Sequence, residues 1–490
     1  MTTTDHPRAM AGPGAGPGSL RVVMFVYNDV SHDSRVLREA GSLAAAGHQV
    51  TVIGRPRSTD ERAITREERD GFTILLVPMP HVWRTWLYRF RKPWRMRGWI
   101  GRRFLLALRR GPRGWPKAVA LVGVAIGMVG LSIIRLPFIA ISGGLNQTVH
   151  NSTIDWLIRL RYGVRGWAGT AAAAAPVADI YHGHDLTGLP AAVRARDRLG
   201  GLVVYDSHEF FLESGSNATR PAWAKWVVGR FERQLAARAS ALVTVNRTLG
   251  RTLQERLSMS RVVVVHNCPP RWDPPASPTD PLRPAAGLPP GTPIVLYHGG
   301  FTRDRGLLEL ADAMREPGLD AAHLVLLGFG PLEGDLQARA REARAAGRIH
   351  VLAAVPPDQL AEWVAAADMG AMPNQPRTAN ERLSTPNKLF ESLAVGLPVV
   401  SSDFPERRSI VIDDPDGPLG ALCDPTDIRS IAAAIRSILD LDPGARLDLR
   451  ARCLRAAHER WNWETESAKL VALYASLGDE LAPAGTPASG

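Results

Sequence analysis

Cysteine is nearly absent: three residues in 490, Cys268, Cys423 and Cys453, stand far apart and without metal-ligand spacing. An odd, scattered set argues against a disulfide framework and points to a reducing cytosol. The first twenty residues are rich in Gly, Pro, Ala and Thr and lack the apolar core of a secretory signal, so a disordered tail is expected there. Nucleophile chemistry has no foothold either, because no Ser-His-Asp or Cys-His arrangement rises above chance. Gly328-Phe329-Gly330 lacks the third glycine of a dinucleotide fingerprint. Asp414-Pro415-Asp416 has the spacing of a metal-binding pair, but Asp-Pro-Asp-Gly without neighbouring histidines reads as a turn. No metal and no cofactor are expected.

Acidic residues are missing from one segment in particular. Between His81 and Ala178 sixteen Lys and Arg face a single acid, Asp155, although the net charge of the whole chain is only +11. The remainder is therefore mildly acidic, which argues against nucleic acid as a partner, since a polyanion-binding domain spreads its charge across a folded face. The same segment holds seven of the thirteen tryptophans, at 83, 86, 94, 99, 115, 156 and 167, and the seventeen uncharged residues Ala118 to Ile134. That run falls just short of the roughly 18–20 residues of a spanning helix. A single crossing is also excluded on topology, because residues 21–77 and 178–266 are expected to share one sheet. Indoles favour the headgroup level, and each basic residue near an anionic surface contributes about 1 kcal/mol. Residues 81–175 are thus expected to hold the protein, peripherally or re-entrantly, on the cytoplasmic face of an anionic membrane. The alternative is a buried helical hairpin with a basic rim.

A chain of this length exceeds one hydrophobic core, so two domains are expected. Outside the basic segment, short Val/Ile-rich runs alternate with amphipathic helices, the pattern of an α/β fold with two doubly wound sheets whose ligands bind at strand carboxyl ends. The expected division is a first domain at 21–267, interrupted by an insertion at about 81–177. A proline-rich linker at 268–293 and a second domain at 294–460 follow, and then a helix at 461–477 and a tail at 478–490.

The densest motif is Ser384-Thr385-Pro386-Asn387-Lys388-Leu389-Phe390-Glu391, leading into Gly396-Leu397-Pro398-Val399-Val400. Ser384 or Thr385 suits a helix cap, Pro386 the first turn, and Gly396 the end before a strand. The free amides and positive dipole end of such a helix favour a diphosphate, while Lys388 and Glu391 share one face.

This segment resembles the donor-binding helix of the retaining GT-B glycosyltransferases of family 4. The resemblance extends to Asp33-Ser34-Arg35-Val36-Leu37-Arg38-Glu39-Ala40, to His182-Gly183-His184-Asp185, and to Tyr205-Asp206-Ser207-His208-Glu209. In the second half it includes Ile294 to Gly300 and Leu324 to Pro331. It implies a GT-B fold of two Rossmann-like domains facing a cleft, with the last helix crossing back to the first domain. It also implies sugar transfer from a nucleoside-diphosphate-sugar, with retention and without metal, to a sugar, lipid-linked or polysaccharide acceptor of the cell envelope. Carried over residue by residue, His184, Arg305 and Lys388 would be catalytic. The donor would be bound by Gly299, Gly300, Arg303, Arg305, Thr385, Asn387, Lys388 and Glu391, with Glu391 taking the ribose hydroxyls. Asp33, Arg35, Asp185, His208 and Glu209 would lie on the acceptor side, although Asp33 and Arg35 equally suit a helix cap.

Two positions depart from the family pattern. Leu383 stands eight before Glu391, where a first glutamate is usual, with Glu381 two places away. Gly300 stands where an arginine normally precedes the cation at Arg305, and Arg303 is the candidate replacement. These departures keep two further readings open: a nucleotide-sugar epimerase of the same fold, and a degenerate sugar-nucleotide-binding membrane scaffold.

Overall fold

The structure is a computed structural model that describes residues 19–481, apart from 32, 59–60, 81–103, 278, 343–346 and most of 109–152. The first sheet contains β1 (Arg21–Phe25), β2 (Gln49–Gly54), β3 (Thr65–Arg69), β4 (Phe72–Leu76), β5 (Ile180–His184), β6 (Leu202–Ser207), β7 (Ala241–Thr244) and β8 (Val262–Val264). Their spatial order is β3-β4-β2-β1-β5-β6-β7-β8, parallel except for the β3–β4 hairpin. The fully exposed edge strand β3, Thr-Arg-Glu-Glu-Arg, is highly charged, which blunts edge-to-edge pairing. The second sheet, β9 (Ile294–Gly300), β10 (His323–Phe329), β11 (Ile349–Leu352), β12 (Met369–Met372), β13 (Val399–Ser402) and β14 (Gly420–Cys423), is entirely parallel in the order β11-β10-β9-β12-β13-β14.

Helices cover both faces of each sheet, so the central strands are apolar on both sides; β1, for example, buries Val22, Val23, Met24 and Phe25. In each sheet the chain winds outward one way and then the other. The reversals lie between β1 and β5 and between β9 and β12, and a crevice opens outside the carboxyl ends of the strands at such points. This is a GT-B architecture. The last helix, Trp463–Leu481, packs Leu470, Leu473, Tyr474 and Leu477 into the core of the first sheet. It thereby ties the end of the chain to the first domain and runs four residues beyond the expected Leu477.

The return of the basic insertion is ordinary folded protein. A helix at Thr153–Ile158, a π-helical turn at Arg159–Val164 and a helix at Arg165–Ala174 lead into β5. Trp167 is fully buried and its indole N–H donates to the Val77 carbonyl at 3.0 Å, and Trp156 is also buried. These two tryptophans are therefore core residues and not interfacial anchors, because the first sheet needs cover beside β4 and β5. Trp115 is 60% exposed. Trp83, Trp86, Trp94, Trp99 and most of Ala118 to Ile134 lie outside the described residues. Among the described residues no helix is long and apolar enough to cross a membrane.

Candidate active site

The second-domain half of the cleft is built on the carboxyl end of β9 and the helix Asn387–Ala394. Pro386, at the cap position, makes no side-chain cap bond. The expected caps are engaged elsewhere: Ser384 Oγ donates to the Glu381 carbonyl, and Thr385 Oγ1 accepts from Asn246 Nδ2 of the first domain at 3.2 Å. No cap side chain takes the first amides of the helix, although the Leu389 amide bonds back to the Pro386 carbonyl at 3.0 Å. Gly299, at φ +113°, lets the backbone bend beneath Lys388, whose ammonium stands 5.1 Å above the Tyr297 ring. Burial, then the neighbouring Arg305, push the Lys388 pKa down to about 8. Arg407, fully buried, donates from Nε to the Ser384 carbonyl at 3.3 Å. Its pKa is lowered to about 9 by burial, with Arg305 adding to that effect against Glu381. The Asn374 amide touches Arg305, Arg407 and Glu381, and Arg305 lies 3.9 Å from Glu381. Three cations thus converge on the helix start, with too little nearby acid to restore the ordinary pKa of two of them.

Glu391 lies one turn along the same helix. His298 Nε2 meets its Oε2 at 2.9 Å. Burial favours the neutral carboxyl, yet His298 and Lys388 together hold its pKa below the ordinary value. The group is therefore a carboxylate oriented by a histidine, able to accept from paired hydroxyls.

The first-domain half is a buried polar cluster at the ends of β5 and β6, which pair His184 with Asp206. Arg35, buried, lies 2.9 Å from Glu39 and 3.2 Å from Asp206 and donates to the Val265 carbonyl at 2.7 Å. His182 stacks on His184 with ring centres 4.3 Å apart and meets the Tyr474 hydroxyl at 2.6 Å. His208 bridges to Asp206 at 3.0 Å and to Asp185 at 3.6 Å, and its amide donates to Asp185. Burial alone would make His208 neutral, but Asp185 and Asp206 raise its pKa to about 10. His184 is driven the other way, to about 3, by burial and then His182. A neutral imidazole and an imidazolium therefore stand side by side, 3.3 Å apart.

Ligand atoms of Glu39, His182, His184 and Asp206 lie within 4.8 Å of one another, a set of donor types able to take a divalent ion. The Arg35 guanidinium already pairs with both carboxylates, however, and burial raises the Glu39 pKa to about 8, so at neutral pH the single charge on Asp206 is matched there without an ion.

Between the halves lies a cavity of about 450 Å³, lined from the first domain by Asn28, Asp33, Arg35 and His208 and from the second by Thr385, Asn387 and Phe390.

Residues 33–268 match the family described as Glycosyl transferase 4-like domain, and residues 292–441 the one described as Glycosyl transferases group 1. The chain belongs to the group 1 glycosyltransferases. Among curated relatives it is 30% identical over 257 residues to D-inositol 3-phosphate glycosyltransferase of Xylanimonas cellulosilytica, covering 50% of this chain and 58% of that one. It is 28% identical to the GDP-mannose-dependent alpha-(1-6)-phosphatidylinositol monomannoside mannosyltransferase of Mycolicibacterium smegmatis, over 31% of this chain and 38% of that one. The matches thus span little more than half of the first relative and less of the second. In fold the chain is similar to sucrose-phosphate synthase from Thermosynechococcus elongatus, with a TM-score of 0.62 at 16% identity over 94% of this chain and 99% of that one. It is also similar to alpha,alpha-trehalose 6-phosphate synthase from Burkholderia multivorans, with a TM-score of 0.60 at 16% identity over 96% and 99%.

Within this glycosyltransferase, Gly299, Arg305, Lys388 and Glu391 gather at the second-domain face, and Thr385 and Asn387 line the cavity. Gly300 is exposed with open space beside it, and Arg303 is exposed as well. The further cation near Lys388 and Arg305 is Arg407, which follows Glu391 by sixteen positions and carries no motif to mark it. Asp33 caps the helix Ser34–Ala45, accepting from Val36 N at 3.2 Å, and also lines the cavity. Glu209 accepts from Ser214 Oγ at 2.5 Å. His184 is fully buried, with Nε2 lacking a hydrogen-bond partner, and the histidine that lines the cavity is His208. Asp414 and Asp416 form the expected turn, both bound to Arg460 at 2.8 Å.

Proposed function

We propose that this protein transfers a sugar from a nucleoside-diphosphate-sugar to a hydroxyl of an acceptor held in the interdomain cavity, with retention of configuration. The observation that carries the reading is the anion-deficient cluster of Lys388, Arg305 and Arg407 at the uncapped start of the helix Asn387–Ala394. A diphosphate placed there meets both cations and amides, while Glu391 accepts from the ribose hydroxyls. As the bond from the anomeric carbon to the phosphate oxygen breaks, charge grows on the leaving diphosphate, where those groups stabilise it without a metal. The acceptor oxygen bonds to the anomeric carbon on the same face, and its proton passes to the departing phosphate oxygen. Retention in this form rests on the family resemblance. His208, as an imidazolium fixed by Asp185 and Asp206, together with Asp33 and Asn28, supplies donors and acceptors for acceptor hydroxyls.

The names of the two relatives above both contain inositol, which supports a polyol or lipid-linked polyol as acceptor. Residues 81–175, with their cation excess, would bring the cleft to the cytoplasmic face of an anionic membrane.

A panel of nucleotide-sugars tested with lipid extract examines the reading. Lys388→Ala and Glu391→Ala should each weaken donor binding about ten- to hundredfold, the equivalent of about 1.5–3 kcal/mol, with unchanged circular dichroism. Turnover should persist in EDTA. Wild-type donor affinity in both variants would remove the site assignment, and recovery by Mg²⁺ after loss in EDTA would restore a metal to the mechanism. Release of an isomerised nucleotide-sugar without acceptor would identify an epimerase, and binding without turnover a scaffold.

A further inference from the structure

The connection that leaves the cleft at Glu209 runs through short turns at Phe211–Glu213 and Gly215–Asn217 into the helix Ala222–Ala236. Its inner face is fixed: Ala224 and Val228 are buried against Trp156, Leu186 and Leu212, and Glu232 accepts from Tyr205. Its outer face inverts the usual pattern. Trp223 is 45% exposed, Trp226 67% and Val227 44%, and Arg230 and Arg233 continue the same face. From Ala222 to Arg238 no exposed position is acidic, since Glu232, the one carboxylate there, is turned inward and paired with Arg256 at 2.9 Å.

Two indoles one turn apart on a helix form an exposed apolar patch that none of the described residues covers. Indoles favour the boundary between headgroups and acyl chains, and flanking arginines without acids match an anionic surface in sign. We infer that the outer face of the helix Ala222–Ala236 is a docking surface for an anionic lipid bilayer. The end of the basic insertion packs on the opposite side of this same helix through Trp156, so the two elements are joined mechanically. The inference deepens the membrane reading above but rests on residues outside the insertion's cationic part. Its consequence is positional: a lipid surface held at this helix lies at the far end of the segment that begins with His208 and Glu209, on the acceptor side of the cleft.

Flotation of the full-length protein with phosphatidylglycerol/phosphatidylcholine vesicles at low salt tests this, using Trp223→Ala/Trp226→Ala, Arg230→Gln/Arg233→Gln and a charge-depleted insertion variant. Wild type is expected to float. Each lost arginine should reduce partitioning about fivefold, and the double tryptophan variant should lose the fluorescence quenched by brominated lipid. Donor binding, measured without vesicles, should remain unchanged in both helix variants. The melting curve of the tryptophan variant should match wild type because Trp223 and Trp226 are exposed, whereas the arginine variant also loses the bond from Arg233 Nε to the Arg256 carbonyl. Wild-type flotation by both helix variants, with loss only in the insertion variant, would overturn the helix face while leaving the insertion as anchor. Failure of the wild type to float would overturn both. Vesicle-independent self-association abolished by the tryptophan changes would assign the face to a second copy instead.

Discussion

At the scale of single residues, Lys388 makes a pH test available. Its pKa of about 8 belongs to the free protein, and a bound diphosphate favours the ammonium and raises it. Below pH 8 the charge is already present, so affinity is flat; above it, binding requires proton uptake and the donor dissociation constant rises by up to about tenfold per unit. Calorimetric titration between about pH 6.5 and 9.5 should show this bend setting in near pH 8, and Lys388→Arg should move it upward because a guanidinium is the stronger base. A flat wild-type profile would detach Lys388 from the phosphate. The stability contribution has the opposite sign. The pKa of Lys388 is lowered from 10.5 on folding, so between about pH 8 and 10.5 the unfolded chain holds a proton that the native one lacks, and this group's contribution to stability rises with pH.

At the scale of elements, two glycines in one connection behave in opposite ways. Gly306, at φ +69°, precedes the helix Leu307–Ala313, and a Cβ there would collide with the Pro373 carbonyl oxygen. Gly306→Ala should therefore displace the Arg303–Arg305 turn, destabilise the second domain by roughly 2 kcal/mol or more, and weaken donor binding. Chemical denaturation and donor titration read the two effects separately. Gly300 has room for a side chain. Gly300→Arg, the family's usual residue, should be tolerated and should recover donor affinity lost in Arg407→Ala, if both cations serve the same diphosphate. No recovery in the double variant would show that Arg407 acts through the Ser384 carbonyl alone.

At the scale of the molecule, Glu406 fastens the halves together. Its carboxylate accepts from Thr248 N at 2.9 Å and Thr248 Oγ1 at 2.6 Å, at the start of the helix Arg247–Leu257, and lies 3.5 Å from His266. His266 in turn meets Glu466 of the crossing helix at 3.2 Å. Burial opposes the charge on Glu406, but His266 and Thr248 hold its pKa down to about 2. Its stabilising contribution is therefore complete above about pH 4.5 and is lost as the pH falls toward 2. Glu406→Ala should enlarge the radius of gyration in solution scattering and lower kcat more than donor affinity, because closure assembles the cavity from both domains. Unchanged scattering and kcat would show that Phe210, whose amide donates to Asn380 Oδ1 at 2.8 Å, and the Asn246 contacts suffice to hold the domains.

Much of this protein is written in local sequence. Alternating apolar runs and helical periods specify the two doubly wound sheets, because strand burial and helix amphipathicity are properties of neighbouring residues. The segment from Ser384 to Glu391 announces its helix for the same reason, and Asp33 its cap. Other features required the folded chain. Arg407 joins Lys388 and Arg305 only because the helix Pro405–Val411 returns beside the Asn387–Ala394 helix start. His184 and His208 exchange depth and charge only because β6 brings Asp206 between them. Trp156 and Trp167 enter the core while Trp223 and Trp226 stay bare, although the first pair belongs to the basic segment expected at a membrane and the second does not. An indole's burial depends on which surface the sheet leaves uncovered, and the charge on a histidine depends on which carboxylates the strands carry to it. Both are distances between residues remote in sequence, which tertiary structure alone decides.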